Sequence, residues 1–431
     1  MSWEGEATVA GGGGSNRTNL SANSFEFDCD WIGNKSFTVT PTNLLNLPRN
    51  FKIIDVNLLL AHAGGQIFDP RYLDTLPTGG CFRFMDWMLT NNSTVVSVAD
   101  YPVLSSQRWS RVPFEAMVAL CNLKSADMWM CVPHQANDTF VQQKLEYIRD
   151  NLNPALKVRV ELSNEIWNTG TFTHPLYFKG LAESVWGVPD GYANSLWLAY
   201  AGKRFTQVMQ IAQSVFSATP SRLIGVAGAQ AANTSVANAF LNATAWQTFE
   251  PGNYVRPGTF ADEISIAPYI NWTGNQVAAG NALAPLVGNQ PAFDDYVIGM
   301  TVASLAQAKT WIDNHVPICV TNNCRLTMYE YNQHYSLVEM SGSSLVPGGV
   351  PIAGALEAIM VATISSRMAD AQDELRDYFK SQSGSLMCFF VNMNRSARFG
   401  TWGAQTHAGH NSPIWNAILA WHAANPRWYS Q

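Results

Sequence analysis

The sequence predicts an α/β protein, a (β/α)8 TIM barrel with a small β-rich appendage at its N-terminus. Three observations support this prediction. Eight short apolar runs follow one another along the 431-residue chain, longer segments with helical spacing lie between them, and the glycine-rich loops of nucleotide-binding folds are missing. Eight strands with intervening helices favour a barrel over a doubly wound sheet.

The apolar runs are typical of buried strands, because several are apolar almost without interruption. Strands of a parallel sheet are covered on both faces, so they lose the alternation of apolar and polar residues. In chain order the predicted strands are Lys52–Leu60, Cys81–Trp87, Met128–Pro133, Lys157–Ser163, Arg222–Gly228, Glu263–Tyr269, Arg325–Glu330 and Leu386–Asn392.

Helical spacing is clearest over residues 138–152, where Asp138 is the expected N-cap and five apolar side chains form one stripe. Similar segments cover about 192–217, 293–314 and 354–380. Each follows a predicted strand, as the crossover helices of a barrel do.

The first 50 residues have a different pattern. Apolar and polar residues alternate over Ser24–Cys29 and again over Ser36–Thr40, which predicts short antiparallel strands. We therefore expect residues 1–50 to form a β-rich appendage and residues 51–431 to form the barrel.

Composition excludes some classes of function. Charged residues make up only 13% of the chain, the net charge is −6, and no basic stripe is visible, so we expect no nucleic-acid partner. No run approaches the ~18 apolar residues that a membrane span needs, so we expect no membrane partner either.

The chain has seven cysteines, an odd number that argues against a complete disulfide framework. Cys319 and Cys324 enclose a turn-like Val-Thr-Asn-Asn segment, which leaves a small disulfide loop open as an alternative to two thiols. Cys81, Cys131 and Cys388 lie in apolar runs and are expected to be small buried residues. No set of Cys and His has the spacing of a zinc site, so we expect no metal and no other cofactor.

Carboxylates follow two of the predicted strands at their C-terminal ends, where barrel enzymes place their working residues. Lys157–Ser163 runs into Asn164 and Glu165, and Arg325–Glu330 ends on Glu330. Two carboxyl groups are what hydrolysis of a glycosidic bond requires, one to protonate the leaving oxygen and one to act on the sugar. An Asn beside the acid can hold a neighbouring sugar hydroxyl.

This arrangement resembles the clan A glycoside hydrolases, a large group of retaining (β/α)8 glycosidases. In that group an Asn-Glu pair on the fourth strand supplies the acid/base, and a Glu on the seventh strand is the nucleophile. The resemblance covers about residues 51–425. An Arg on the second strand, a His on the third, an aromatic on the sixth and a Trp after the eighth also recur in the group, and the corresponding residues here are Arg83, His134, Tyr269 and Trp402.

Three segments resemble one particular branch of the clan. Phe82–Met88, Thr90–Asn92 and Ser163–Asn168 are similar to an uncharacterised bacterial branch of the clan, often labelled cellulose-binding or hypothetical. That branch implies no particular substrate.

The resemblance implies a role for each catalytic residue. Glu330 attacks the anomeric carbon, and Glu165 acts first as acid and then as base. Burial and the charge of Glu330 are expected to raise the pKa of Glu165. Arg83 is expected to orient Glu330, and Tyr269 to keep it ionised.

The remaining candidates are expected to contact the sugar. Asn164 is expected to hold the 2-hydroxyl, and Trp167, Trp272 and Trp402 are candidates to stack on sugar rings. The alternative for Trp167 is packing in the core. For His134 two interpretations are open, contact with a sugar in a subsite and a structural role.

Two function classes therefore remain. The first is a retaining glycoside hydrolase that cleaves a β-linked polysaccharide or oligosaccharide, with a carbohydrate as its partner. The alternative is a non-catalytic carbohydrate-binding or particle-surface protein on the same barrel, against which the presence of both Glu165 and Glu330 counts. We expect a secreted or extracellular protein, although no signal peptide is visible in this chain. The sequence leaves the glycan, endo or exo action and the oligomeric state open.

Overall fold

A computed structural model describes residues 1–10, 15–29, 36–106, 108–188, 196–426 and 428. Two compact units contain these residues, Met1–Leu73 and Asp74–Gln431. The predicted boundary after residue 50 stays a prediction. Among the described residues, none of the helices combines the length and the apolar character that crossing a membrane requires.

The first unit is largely antiparallel sheet, as the alternating pattern predicts. Trp3, Val9 and Phe25 form its small core. Four strands pair in the order β3-β4-β1-β6, and β2 pairs with β5. The strands are β1 (Ser2–Glu4), β2 (Ala7–Ala10), β3 (Ser15–Ser21), β4 (Ser24–Asp28), β5 (Thr38–Pro41) and β6 (Arg49–Lys52).

The strand predicted over Lys52–Leu60 is wrong. Strand β6 ends at Lys52, a 3-10 turn covers Val56–Leu58, and helix α1 (Leu59–Ala63) follows. Asp55 starts this helical segment, because its carboxylate accepts the N–H of Asn57 at 2.9 Å. Leu60 is 90% exposed, so the apolar run is not a buried strand. A second short helix, α2 (Pro70–Thr75), comes next.

The second unit contains a parallel sheet of seven strands, and each of the seven other predicted runs overlaps one of them. The order is β15-β13-β11-β10-β9-β8-β7, with every neighbouring pair parallel. These strands are β7 (Cys81–Arg83), β8 (Asp127–Val132), β9 (Val158–Leu162), β10 (Leu223–Gly228), β11 (Glu263–Ile266), β13 (Arg325–Tyr331) and β15 (Leu386–Phe389), with β12 (Ile270–Asn271) and β14 (Gln333–His334) pairing beyond β11 and β13.

The sheet curls into a nearly closed barrel. Its two edge strands meet, because the thiols of Cys81 on β7 and Cys388 on β15 are in hydrogen-bond contact. Trp129, Tyr329 and Leu386 pack with Cys388 in one buried cluster inside the sheet. The fold is therefore a (β/α)8-type barrel preceded by a β-rich segment, as predicted.

Helices follow the barrel strands. They are α3 (Phe114–Lys124), α4 (Asp138–Asn151), α5 (His174–Trp186), α6 (Leu196–Val215), α7 (Thr234–Asn242), α8 (Thr244–Phe249), α9 (Gln276–Leu283), α10 (Gln290–Asn322), α11 (Ala355–Thr363), α12 (Ser366–Ser381) and α13 (Pro413–Ala424).

Two helix predictions need correction. The N-cap of α4 is Asn137 and not Asp138, because the Asn137 side chain accepts the N–H of Phe140 at 2.8 Å. The segment 354–380 is two helices, α11 and α12, and the Ser365 side chain caps the second by accepting the N–H of Met368. The predicted start of the helix at residue 192 lies outside the described residues.

Candidate active site

The C-terminal ends of the barrel strands bring five of the predicted residues together. Arg83 ends β7, Asn164 and Glu165 follow β9, and Glu330 lies one residue before the end of β13. Tyr269 follows β11. Because parallel strands end at the same edge of a sheet, residues up to 247 positions apart in the chain share one hydrogen-bonded network.

Arg83 is the centre of this network. Its Nη1 donates to Glu330 Oε1 at 2.7 Å, and its Nη2 donates to Asn164 Oδ1 at 2.8 Å. Its Nε donates to Glu161 Oε2 at 3.0 Å. The Arg83 side chain is 4% exposed, so one buried guanidinium serves two carboxylates. A buried cation held this way fixes the positions of both partners.

Glu161 lies beneath the network, at the level of β9. It is 1% exposed and accepts hydrogen bonds from Trp129 Nε1 at 2.9 Å and from the Cys131 thiol at 3.4 Å, in addition to those from Arg83. The barrel interior thus satisfies this buried carboxylate completely, which leaves Glu330 as the Arg83 partner that faces the strand ends.

The Glu330 carboxyl group is held at both oxygens, since the Tyr269 hydroxyl donates to Oε2 at 2.8 Å while Arg83 holds Oε1. Burial raises the pKa of Glu330 to about 7, and the charge of Glu165 also raises it. Arg83 and the Tyr269 hydrogen bond act in the opposite direction and favour the ionised form.

Glu165 has its own pair of donors. The Tyr329 hydroxyl donates to Oε1 at 2.9 Å, and Asn168 Nδ2 donates to Oε2 at 2.8 Å. Burial raises the pKa of Glu165, and these two hydrogen bonds lower it. Because the charges of Glu165 and Glu330 interact, their protonation belongs to the pair.

Strand β13 carries both Tyr329 and Glu330, which alternation would place on opposite faces. The pairing of β13 with β15 shifts register between Met328 and Tyr331. Such an irregularity twists a strand locally and redirects its side chains. It allows Tyr329 to contact Glu165 while Glu330 contacts Arg83.

The turn that presents Glu165 has an unusual backbone. Ser163 has φ of 59° and Glu165 has φ of 42°, both in the left-handed region that residues other than glycine avoid. Buried His174 holds the turn, because its Nε2 donates to the Asn164 carbonyl at 2.5 Å while its Nδ1 accepts the N–H of Asn92 at 3.4 Å. Burial lowers the pKa of His174 to about 4, so the ring stays neutral with its proton on Nε2.

The ring of His334 lies between Trp402 and Tyr269, which belongs to the network. The Trp402 ring centroid is 5.1 Å from that of His334, which is 5.7 Å from that of Tyr269. Trp167 is half-buried and follows Glu165 by two residues. Its indole nitrogen has no partner among the described residues.

His134 and Trp272 are buried, and among the described residues neither is a hydrogen-bond partner of Glu165 or Glu330. His134 is 4% exposed, and its ring contacts His174 and Tyr177 at centroid distances of 5.4 and 5.2 Å. Trp272 is 5% exposed, with its indole N–H donating to Ser336 O at 2.8 Å and its ring 4.3 Å from that of Tyr335. Protein atoms thus enclose the Trp272 ring, whereas His134 lines a cavity together with Tyr177 and Arg204.

Four contact residues escaped the sequence analysis, namely Tyr329, Asn168, His174 and the Asn91 side chain, which accepts from Asn164 Nδ2 at 2.9 Å. Of these four, Asn168 was the easiest to predict from the sequence, because it lies three residues after Glu165 in the same turn. In the described part of the chain no group of three or more His, Cys, Asp or Glu side chains is arranged to hold a metal ion.

No protein-family model and no curated protein matches the sequence. Glycoside hydrolases are among the solved structures with a similar course of the backbone. One is a GH51 arabinofuranosidase from Xanthomonas axonopodis pv. citri, with 12% identity, a TM-score of 0.45, and 81% of this chain and 64% of that chain covered. Another is the GH53 catalytic domain from Ignisphaera aggregans, with 11% identity, a TM-score of 0.33, and 80% and 96% covered.

A third is the endo-1,4-β-D-xylanase 10B of Clostridium thermocellum, solved as CBM22-1 and GH10 modules with xylohexaose, with 9% identity, a TM-score of 0.37, and 97% and 85% covered. This chain spans less than two thirds of the arabinofuranosidase. Because all three TM-scores lie below 0.5, these likenesses carry no argument about activity, and the case for function rests on the site itself.

Proposed function

We propose that this protein is a retaining glycoside hydrolase that cleaves a β-linked polysaccharide or oligosaccharide by double displacement, with Glu330 as nucleophile and Glu165 as acid/base. The observation that carries the proposal is the Arg83 guanidinium, which donates to Glu330 and to Asn164 at once. Arg83 thus fixes the Glu330 carboxylate relative to Asn164, the residue that precedes Glu165. Double displacement requires two carboxyl groups held in this way, about 5–5.5 Å apart.

A nucleophile must be ionised when the substrate binds. Arg83 and Tyr269 both donate to Glu330, and both stabilise its charged form. Among the described residues, Glu165 accepts hydrogen bonds from the neutral donors Tyr329 and Asn168, and the charge of Arg83 also lowers its pKa. Catalysis needs the form in which Glu165 holds the proton of the pair and Glu330 is ionised; the two donors of Glu330 favour that form, and the burial of Glu330 opposes it.

The same coupling permits the second step. Attack of Glu330 on the anomeric carbon turns its carboxylate into an ester and removes a negative charge next to Glu165. The loss of that charge lowers the affinity of Glu165 for a proton, so it can accept one from the incoming water. The raised pKa of Glu165 is consistent with its role as the acid in the first step.

Asn164 and two tryptophans are the proposed sugar contacts. Asn164 Nδ2 carries two protons, of which Asn91 takes one; the other has no acceptor among the described residues and is available to a sugar hydroxyl. Trp402 is close to the site through His334 and Tyr269, and Trp167 lies just after the acid/base. We leave Trp272 out of the proposed site because protein atoms enclose its ring, and His134, which lines a cavity, stays a candidate for a subsite. Action outside the cell remains a prediction.

A screen of β-glucan, mannan, xylan and galactan for new reducing ends tests the proposal. We expect Glu330→Gln and Glu165→Gln to lose most of any activity found. The control is Glu146→Gln, an exposed carboxyl group on α4 whose partner is Gln142. Full activity in both site variants would refute the assignment. Binding of a glycan by the wild type without any cleavage would instead support the non-catalytic alternative.

A further inference from the structure

Helix α10 ends in a motif that brings two cysteines together. Asn323 is in the left-handed conformation with φ of 51°. The N–H of Cys324 donates to the Cys319 carbonyl at 3.0 Å, and the N–H of Asn323 donates to the Val320 carbonyl at 3.2 Å. These two bonds define a Schellman motif, in which the side chains at the two positions occupied by cysteine commonly touch.

The two thiols are in contact here. The Cys324 thiol also donates to the Cys319 carbonyl at 3.7 Å, and both residues are present as thiols in the structure. A hydrogen bond from the Cys319 thiol lowers the pKa of Cys324, as does a backbone N–H of Ile264. The same contact and burial raise the pKa of Cys319.

Access to the two sulfurs is unequal. Cys319 is 5% exposed, whereas Cys324 is half-buried and follows an exposed turn in which Val320 is 75% exposed. Reactive cysteines combine access with a readily formed thiolate, and Cys324 has both. Cys319 has neither, but it lies in place to react with whatever is attached to Cys324.

We propose that Cys319 and Cys324 form a reversible thiol–disulfide site, in which Cys324 reacts first with a small-molecule disulfide and Cys319 then resolves the product. The Cys324 thiolate attacks one sulfur of the disulfide, forms a mixed disulfide and releases one thiolate. Cys319 loses its proton to solvent, attacks the Cys324 sulfur and releases the second thiol. Two protein thiols are oxidised while the small disulfide is reduced to two thiols.

This site is independent of the proposed hydrolysis, but it lies at the start of the strand that carries Glu330. Cys319 belongs to the last turn of α10, and Cys324 immediately precedes β13. The disulfide therefore joins a 33-residue helix to β13.

The test treats the folded full-length protein with oxidised glutathione, alkylates the remaining thiols and maps the peptides by mass spectrometry. We expect Cys319 and Cys324 in one peptide that is two hydrogens lighter than the reduced form and that returns to the thiol form with dithiothreitol. Cys121, buried and hydrogen-bonded to the Asp127 carbonyl, is the internal control and should stay reduced. Failure to find the linked peptide while other cysteines react would overturn the proposal.

Two variants test the order of reaction. In Cys319→Ser, Cys324 should accumulate as the glutathione mixed disulfide, because nothing resolves it. In Cys324→Ser, Cys319 should stay unmodified. The reverse pattern, with Cys319 trapped and Cys324 inert, would contradict the assigned roles. If either variant fails to fold, timed alkylation of the wild type decides, since Cys324 must react before Cys319.

Discussion

Arg83 and Glu330 form a buried ion pair, in which Nη1 lies 2.7 Å from Oε1 and the two side chains are 4% and 9% exposed. The pair connects β7 with β13, two strands that are not neighbours in the sheet. A buried charge without a partner costs free energy. The Arg83 guanidinium is therefore most favourable when Glu330 is ionised and in contact with it, so the position and the protonation of Glu330 depend on each other.

Replacement of Arg83 by Met should affect both stability and activity. The change leaves Glu161 and Glu330 buried without their shared cation, so we expect the free energy of unfolding to fall by about 3–5 kcal/mol. We also expect kcat/KM to fall at least about 100-fold on whichever glycan is cleaved. Urea unfolding and steady-state kinetics measure the two effects.

The control for that substitution is Arg367→Met. Arg367 pairs with Asp295 on the surface, where the two side chains are 47% and 71% exposed. Its loss should change stability by no more than about 0.5 kcal/mol and leave kcat/KM unaltered. Equal losses of stability and of kcat/KM in the two variants would show that Arg83 does not organise the site as described.

Tyr269→Phe should move the pH dependence of activity. Without the hydroxyl, Glu330 loses a donor that stabilises its ionised form, so its pKa rises further above the present value of about 7. The acidic limb of the kcat/KM profile should therefore shift upward by about one pH unit. Tyr378→Phe is the matched control, because Tyr378 donates to the surface carboxylate Asp313 at 2.7 Å. A shift in both profiles, or in neither, would contradict this prediction.

Stability should depend on pH through Glu330. Its pKa rises from 4.5 in the unfolded chain to about 7 in the folded one, so the folded state binds more protons between these values. The stabilisation from the protonated form is complete below about pH 4.5 and is lost as the pH rises through about 7. In Glu330→Gln this loss is absent.

The Tm of Glu330→Gln relative to wild type should therefore increase between pH 4.5 and pH 7, the window set by those two pKa values. The corresponding change in unfolding free energy is about 3 kcal/mol at most. Calorimetry at several pH values measures it, with Glu146→Gln as the control. A constant difference in Tm across the window would show that Glu330 is not perturbed as described.

His174→Gln should impair activity through the turn that carries Glu165. The variant weakens the hydrogen bond to the Asn164 carbonyl that holds Ser163 and Glu165 in the left-handed conformation. We expect kcat to fall at least about 10-fold, with a loss of about 1–3 kcal/mol of stability. His315→Gln disrupts a comparable buried bond, from His315 to Trp311 O on α10, and should cost stability alone. A loss of kcat of similar size in His315→Gln would point to a general folding effect.

The sequence was informative wherever a local pattern decides the structure. Apolar runs identified the seven parallel strands, and the ends of those strands identified Asn164, Glu165 and Glu330. The family resemblance added Arg83 and Tyr269, and the fold brings these side chains together. It was misleading over Lys52–Leu60, where a single Asp55 cap and solvent exposure outweigh the apolar composition.

Contacts between distant residues could not be read from the sequence. Tyr329 should face away from Glu330 by alternation, yet its hydroxyl donates to Glu165, and the pairing of β13 with β15 shifts register at this point. His174 opens a helix without any motif, and its role depends on a turn that begins ten residues earlier in the chain. The enclosure of Trp272 likewise depends on Tyr335, which lies on a different segment.

The central claim is that Glu330 forms a covalent bond to the sugar, and mechanism-based labelling tests it most directly. Activated 2-deoxy-2-fluoro β-glycosides of glucose, mannose, xylose and galactose slow the second step of a double displacement more than the first, so the glycosyl-enzyme accumulates. Peptide mapping by mass spectrometry should find one sugar attached to Glu330, and no label in Glu330→Gln. A label on another residue, or inverted product from an enzyme that never becomes labelled, would contradict the assignment.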